Sequence, residues 1–244
     1  MQYIGSKNRL SKELVPLIQS YINKDTKGYL EPFVGGANMI DKIQHHNKIG
    51  ADSHKELIAL LSHAQNTLNV IPEDITREQY NEVKDNRGDF PDWYVGLVGF
   101  CSSFGSKYFG GYAYDPRYEK RGSNGSAVKS AIKNLQNQRP QLSNISFIHA
   151  DFRDFTAKDI RGYVIYCDPP YRGTTKYKTE EFPYEEFYQW CREMSTYNTV
   201  LISEYNMPDD FRCIWQKDAK VLLGQSINKD SVNSKTEKLF VYGN

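Results

Sequence analysis

Two hydrophobic periods divide the chain. Leu10, Leu14, Leu17, Ile18 and Tyr21 recur at helical spacing over residues 8–21, with Pro16 inside the pattern. Short apolar runs then predict strands at Tyr29-Leu30-Glu31, Lys48–Asp52, 145–152, Tyr163–Cys167, 199–205 and 238–242. Between them, helical spacing returns at 53–64, 75–87, 92–103, 126–142 and 183–195. Strands alternate with helices at both ends of the chain. That alternation is the signature of an α/β protein with a parallel sheet. It breaks down over residues 65–144, where helices follow one another around a glycine- and tyrosine-rich stretch. This predicts an insertion in the α/β domain.

The run Tyr163–Cys167 ends abruptly in Asp168-Pro169-Pro170-Tyr171. Proline cannot donate to a strand ladder, so the strand stops there and leaves Asp168 at the carboxyl edge of the sheet. Open α/β sheets bind their ligands at that edge. A fixed carboxylate, proline carbonyls without competing amides and one aromatic ring suit a planar substrate bearing an amino group. Adenine and cytosine carry such an amine, whose lone pair is delocalised into the ring. Two acceptors that favour a pyramidal nitrogen localise that pair and stabilise the developing cation. The alternative is an Asp-capped surface turn with an exposed tyrosine.

Three further features fall at predicted strand ends. Glu31-Pro32-Phe33-Val34-Gly35-Gly36-Ala37-Asn38 reads as a strand running into a glycine turn and then a helix, whose N–H groups would face a ligand. Asp52 ends the second strand at the spacing where nucleotide folds bind ribose hydroxyls, although it could equally cap the helix that follows. Asp151 ends the third. With Asp168 these three acids and the glycine turn would ring one crevice, which favours a nucleotide-type ligand.

Composition narrows the class. The chain has 244 residues, 39% hydrophobic and 14% aromatic, enough for one large domain with a substantial core. Net charge is only +1, so a nucleic-acid surface must come from local charge. Such a concentration exists: Lys107, Arg117, Lys120, Arg121, Lys129, Lys133 and Arg139 face only Asp115 and Glu119 over residues 105–139. Interleaved aromatics suit phosphate contact with base stacking, and a solvated helix face is the alternative. Arg172, Lys176 and Lys178 add a basic loop after the Asp168 turn. Four scattered cysteines without a C-x-x-C pair argue against zinc and against a disulfide framework. No apolar run reaches membrane length and no signal peptide opens the chain, which predicts a reduced, cytoplasmic, soluble protein without a metal.

Tyr3-Ile4-Gly5-Ser6-Lys7, Glu31-Pro32-Phe33-Val34-Gly35-Gly36 and Asp168-Pro169-Pro170-Tyr171, in that order, resemble motifs X, I and IV of the DNA adenine-N6 methyltransferases. The arrangement is similar to the alpha group, the Dam-like D12 class, and Phe104 to Tyr112 looks like stretches in phage-type members. The resemblance covers residues 1–60 and 145–244. It implies an α/β, Rossmann-like S-adenosylmethionine-dependent methyltransferase fold, with residues 1–64 and 145–244 forming the catalytic domain. A mostly helical target-recognition domain for double-stranded DNA would occupy 65–144. By the same resemblance Tyr3 and Lys7 contact S-adenosylmethionine near its methionine end, and Glu31, Phe33 and Gly35 form the cofactor turn. Asp52 binds the ribose, and Asp151 with the Phe152 backbone reads the cofactor adenine. Asp168 and Pro169, with Pro170 shaping the turn, hold the target amine, and Tyr171 stacks on a flipped base. Ala37 departs from the motif at a position usually occupied by glycine or another small residue. Lys107, Arg117, Lys120 and Arg121 are the candidate base readers.

Methyl transfer from a sulfonium needs no metal and no covalent intermediate, and the chain has no Pro-Cys nucleophile of the kind cytosine-C5 methylation uses. Three rivals remain open at this level: an N4-cytosine methyltransferase, a catalytically silent DNA-binding homologue, and an enzyme acting on RNA or protein. A GATC recognition site is an analogy with the Dam-like group. A cognate restriction enzyme is not readable from the chain.

Overall fold

The structure, a computed structural model, describes residues 1–114, 127–172, 182–219 and 235–243. Seven strands form one sheet: β1 (Gly28–Glu31), β2 (Lys48–Asp52), β3 (Ile145–His149), β4 (Tyr163–Cys167), β5 (Thr199–Glu204), β6 (Phe211–Ala219) and β7 (Lys235–Tyr242). Their order is β3-β2-β1-β4-β5-β7-β6. The first five are mutually parallel, and β7 runs antiparallel to both β5 and β6. The chain builds outward from β1 to β3, then crosses back to the far side of β1 to lay down β4. That reversal makes the β1/β4 junction a topological switch point, the place where a Rossmann-like sheet opens a crevice.

Alternation along each strand feeds two cores. Tyr29, Val164, Tyr166, Leu201 and Leu239 point to one face, while Leu30, Ile165, Cys167, Val200, Ile202 and Phe240 point to the other. The first face is covered by α1 (Ser11–Gln19), α2 (Lys55–Gln65) and helices of the long β2–β3 connection. The second is covered by α6 (Tyr184–Met194) and the turn around Phe152 and Phe155.

The long connection contains α3 (Arg77–Asp85), α4 (Asp92–Gly96) continuing as a π-turn over Leu97–Cys101, and α5 (Ala127–Leu142). Thr76 and Gln79 form a reciprocal capping box that starts α3. Tyr80, Val83, Val95, Leu97 and Val98 join the same hydrophobic cluster as α1, α2 and β1, so this stretch packs onto that face of the sheet. Contact is closest at Gly96, where a Cβ would lie 2.2 Å from the Glu56 carbonyl oxygen. Only glycine lets α4 approach α2 that far.

Two expected elements differ. No α-helix follows the glycine turn; a 3₁₀ turn, Ile40–Lys42, stands there. Ala37 adopts φ +55°, and the Gly36 and Ala37 carbonyls accept from the Gln138 amide at 3.2 and 3.0 Å. A side chain from α5 thus takes the acceptors that helical N–H groups would have used. The other difference is β6, which the polar, bulged run 211–219 conceals: its register slips between Cys213 and Trp215, so the apolar alternation is broken.

Candidate active site

Every parallel strand delivers an acid to the carboxyl edge. Asp52, Glu31 and Glu204 end β2, β1 and β5, while Asp168 follows β4 directly and Asp151 lies just past β3. The reversed strand β7 adds Glu237 near its start, beside the register pair Glu204↔Lys238.

On the β3-β2-β1 side the acids serve the backbone. Asp52 accepts from the Gly35 amide at 3.1 Å and the His54 amide at 3.0 Å, so it holds both the glycine turn and the local turn that precedes α2. Burial pushes its carboxyl up against those two stabilising bonds. Gly35 has φ +48°, and a Cβ there would sit 2.9 Å from the Tyr3 ring. The turn therefore closes directly on Tyr3. Asp151 accepts from the Arg153 amide at 3.1 Å and its guanidinium at 2.6 Å, and Asp154 reciprocates to the Asp151 amide. Glu31 is buried, takes the Tyr29 hydroxyl at 2.7 Å, and is pushed well above the usual carboxylate range by desolvation. The rings of Phe33 and Phe152 pack together with Phe182 and Phe187, 5.6–5.9 Å between centroids.

On the β4-β5-β7 side the acids face a cation. Gly5 at φ +74° and Ser6, whose hydroxyl accepts the Asn8 amide, start the 3₁₀ turn Lys7–Arg9 and aim Lys7 inward. Its buried ammonium lies 3.1 Å from Asp168 Oδ1 and 3.7 Å from Glu237 Oε2. Burial works to lower the lysine, but Asp168 and Glu237 outweigh it and hold it above its ordinary value. Asp168 shows the converse: burial raises it, opposed by Lys7 and by the Tyr171 hydroxyl. The buried Oδ1 is the oxygen that faces Lys7, and the ion pair is its contact among the described residues. Pro169 is buried and Pro170 exposed, with the Pro170 carbonyl taken by the Tyr184 hydroxyl at 3.0 Å.

Tyr171 is buried beside this centre. Its hydroxyl donates to Glu237 at 3.0 Å, the Lys7 ammonium stands 4.2 Å from its ring centroid, and Tyr205 meets it edge-on at 4.6 Å. A cavity of about 400 Å³ adjoins Tyr205, lined also by Arg172, Tyr188, Glu204 and Asn206. Glu204 is buried, accepts the Tyr205 amide at 2.6 Å and the Arg172 amide at 3.1 Å, and is pushed up by burial to about 7.

The structure thus gathers Tyr3, Lys7, Glu31, Gly35, Asp52, Asp151 and Asp168–Tyr171 along one edge. Lys107 is exposed within the long connection, after a turn whose Phe104 is 74% exposed. Arg117, Lys120 and Arg121, like Lys176 and Lys178, lie outside the described residues. Glu204, Tyr205 and Glu237 escaped the sequence reading. The first had a signal, since Glu204 ends a strand as Asp52 does. Glu237 had none, because only an antiparallel strand brings its beginning to this edge. Among the described residues no acid, histidine and cysteine cluster forms a metal site, and no helix is long and apolar enough to cross a membrane.

Among similar solved structures is SMU.472, provisionally described as a methyltransferase and complexed with SAH: 10% identity, TM-score 0.35, covering 98% of this chain and 53% of that one. The present chain thus spans about half the length of that structure, and the superposition is too loose to carry an argument. No curated protein sequence matches. Residues 3–93 and 105–228 match one family along nearly the whole chain, including the Lys7 turn, the glycine turn and the Asp168 turn. The chain belongs to the D12 class N6 adenine-specific DNA methyltransferases.

Proposed function

We propose that the protein transfers a methyl group from S-adenosylmethionine to N6 of adenine at specific sites in duplex DNA, reaching the base by flipping it from the helix. The observation that carries this reading is the Asp168 carboxylate at the switch point, directly before two prolines, its Oδ1 held by the Lys7 ion pair beside Tyr171. An ionised carboxylate accepts more bonds than that one ion pair uses, and an exocyclic amine is a donor that suits the remainder.

The donor set fits the cofactor. Asp52 and Asp151 offer carboxylates to hydroxyl and amine hydrogens, and the glycine turn with Tyr3 forms the wall beside Asp52. S-adenosylmethionine, when bound, supplies an electrophilic methyl on a positively charged sulfur. The remaining chemistry belongs to the chain. Lys7 opposes the burial that would neutralise Asp168. Asp168 and the Pro169 carbonyl accept the two amine hydrogens, localising the nitrogen lone pair for attack and stabilising the positive charge it acquires. As the N–C bond forms, transfer would break the methyl–sulfur bond, its electron pair staying on the sulfur of the departing thioether, and the amine would shed one proton, for which Asp168 is the placed acceptor. Adenine in a duplex is paired and stacked, so the base must leave the helix to reach an acceptor this deep. The exposed Phe104 and Lys107 of the long connection present an aromatic and a cation on the surface for duplex contact.

The test is methyl transfer from labelled S-adenosylmethionine to unmodified genomic DNA, with nucleoside analysis and mapping of the modified positions. Label in N6-methyladenine at one short sequence is the expected result. Label in N4-methylcytosine would reassign the acceptor, and label only in RNA or protein would overturn the DNA reading.

A further inference from the structure

We propose that Glu204 is a positioning residue that clasps the Asp168–Tyr171 turn to the end of β5 through its ionised carboxylate, and that protonating it releases the turn. The proposal rests on the methyltransferase reading of the site for its kinetic consequence, but not for its structural one.

The clasp is made of two backbone bonds. Arg172 directly follows Tyr171, and its amide donates to Oε2 of Glu204 at 3.1 Å. Tyr205 directly follows Glu204, and its amide donates to the other oxygen, Oε1, at 2.6 Å. One carboxylate therefore ties the exit of the Asp-Pro-Pro-Tyr turn to the exit of the neighbouring strand, where Tyr205 also abuts the Tyr171 ring. Pro169 and Pro170 have no amide to donate, so the turn is poor in backbone anchors of its own. Bonds to a charged acceptor are roughly twice as strong as neutral ones, so loss of the charge weakens both at once.

The surroundings set when that happens. Asp168 from β4, Glu237 and Lys238 from β7, Glu185 and Tyr188 from α6, Arg172, Tyr205 and Lys7 all face this region. Burial and the Asp168 charge disfavour the ionised form, while the two amides and Lys7 favour it, and the balance leaves Glu204 at about 7. The sign follows directly: the clasp is complete above neutrality and is lost as pH falls through about 7.

Two measurements test this. The amide resonances of Arg172 and Tyr205, followed by NMR from pH 5.5 to 8.5, should titrate together near neutrality and lose exchange protection on the acid side. In Glu204→Gln, which keeps one acceptor and does not titrate, both should become independent of pH. If the two wild-type amides show no shared transition, the clasp is refuted whatever the enzyme does. Methyl transfer supplies the second readout: wild-type kcat should fall with the same midpoint, and Glu204→Gln should lack that limb while losing roughly tenfold in kcat at pH 8, the worth of one hydrogen bond. A limb persisting near neutrality in Glu204→Gln would assign it to Asp168 and overturn the kinetic part. Absence of all methyl transfer in the wild type would refute the methyltransferase reading and leave the NMR result to decide the clasp.

Discussion

Asp52 and Asp168 occupy equivalent places, each an acid at the carboxyl end of a parallel strand, and they do different things. Asp52 is matched by two backbone amides, Gly35 and His54, and its work is to hold a turn. Asp168 is matched by one ammonium that is shared with Glu237. The difference lies in what approaches from outside the strand. Beside β2 the Gly35 and His54 amides approach, whereas beside β4 two prolines bring no N–H and a lysine from far along the chain fills the space. In the proposed reading the acid held by backbone amides builds the cofactor wall, and the acid held by a shared ammonium receives the substrate amine.

The sharpest way to break this comparison is Asp168→Ala. Turnover should fall by about a thousandfold or more, as when an electrostatic stabiliser of the transition state is removed, while cofactor binding by calorimetry stays near the wild-type value. Retained turnover would put the two acids back in one class.

Lys7→Met comes next. Three carboxylates, Asp168, Glu204 and Glu237, would lose their shared cation, and breaking a buried pair by removing one partner typically costs about 3–5 kcal/mol. A thermal melt measures that loss. The pH profile carries a second sign. Asp168 acts ionised, so activity exists above its folded pKa and disappears as pH falls through it. Burial already raises that pKa and Lys7 restrains it. Removing Lys7 should therefore move the acid limb to higher pH, and an unmoved limb would show that the lysine does not hold Asp168 in its working state.

Asp52→Asn should weaken the other half of the edge without touching its chemistry. One of the two backbone donors is left unpaired, at about 1–3 kcal/mol, and cofactor affinity falls while kcat at saturating cofactor is retained. A drop in kcat instead would erase the division between wall and reaction centre. The smallest effect is expected from Ala37→Gly. Ala37 is held at φ +55°, where a side chain costs roughly 1–2 kcal/mol, and relief of that strain offsets the freedom glycine adds to the unfolded chain. Stability should change by less than about 1 kcal/mol, measured by denaturant unfolding.

Much of the β4 side was readable because the signals are local. Tyr163–Cys167 appears as predicted, since an uncharged β-branched and aromatic run stopped by two prolines has few other conformations. Asp52 and Asp151 were found by the same logic. The cap reading of Asp52, left open beside the ligand reading, is not what the structure shows: His54 is the N-cap of α2 without a side-chain cap bond, and Asp52 accepts from the Gly35 and His54 amides. What was not readable depends on distant chain. The glycine turn lacks its helix because Gln138, about a hundred residues away, satisfies its carbonyls. Lys7 could be tied to the site only by resemblance, as nothing in its neighbours specifies a carboxylate partner. Tyr171 was read as an open stacking face, and in the structure its ring is already met by Lys7 and Tyr205. A base arriving there must use the remaining surface or displace the lysine.

The meeting of Lys7 with Glu237 also has a meaning for how the molecule comes into being. These residues are separated by 230 positions, yet they meet in one charge cluster with Asp168. Joining them closes a loop of nearly the entire chain, an entropic cost that grows with the logarithm of its length and is met only after the intervening contacts exist. The strands that carry Asp52 and Asp168 can pair from nearer neighbours, so the cofactor wall can assemble while the last strand is still absent. A ribosome-bound chain lacking β7 would hold the motifs without a completed charge cluster. Completion of the charge cluster therefore waits for β7 to reach the Lys7 turn.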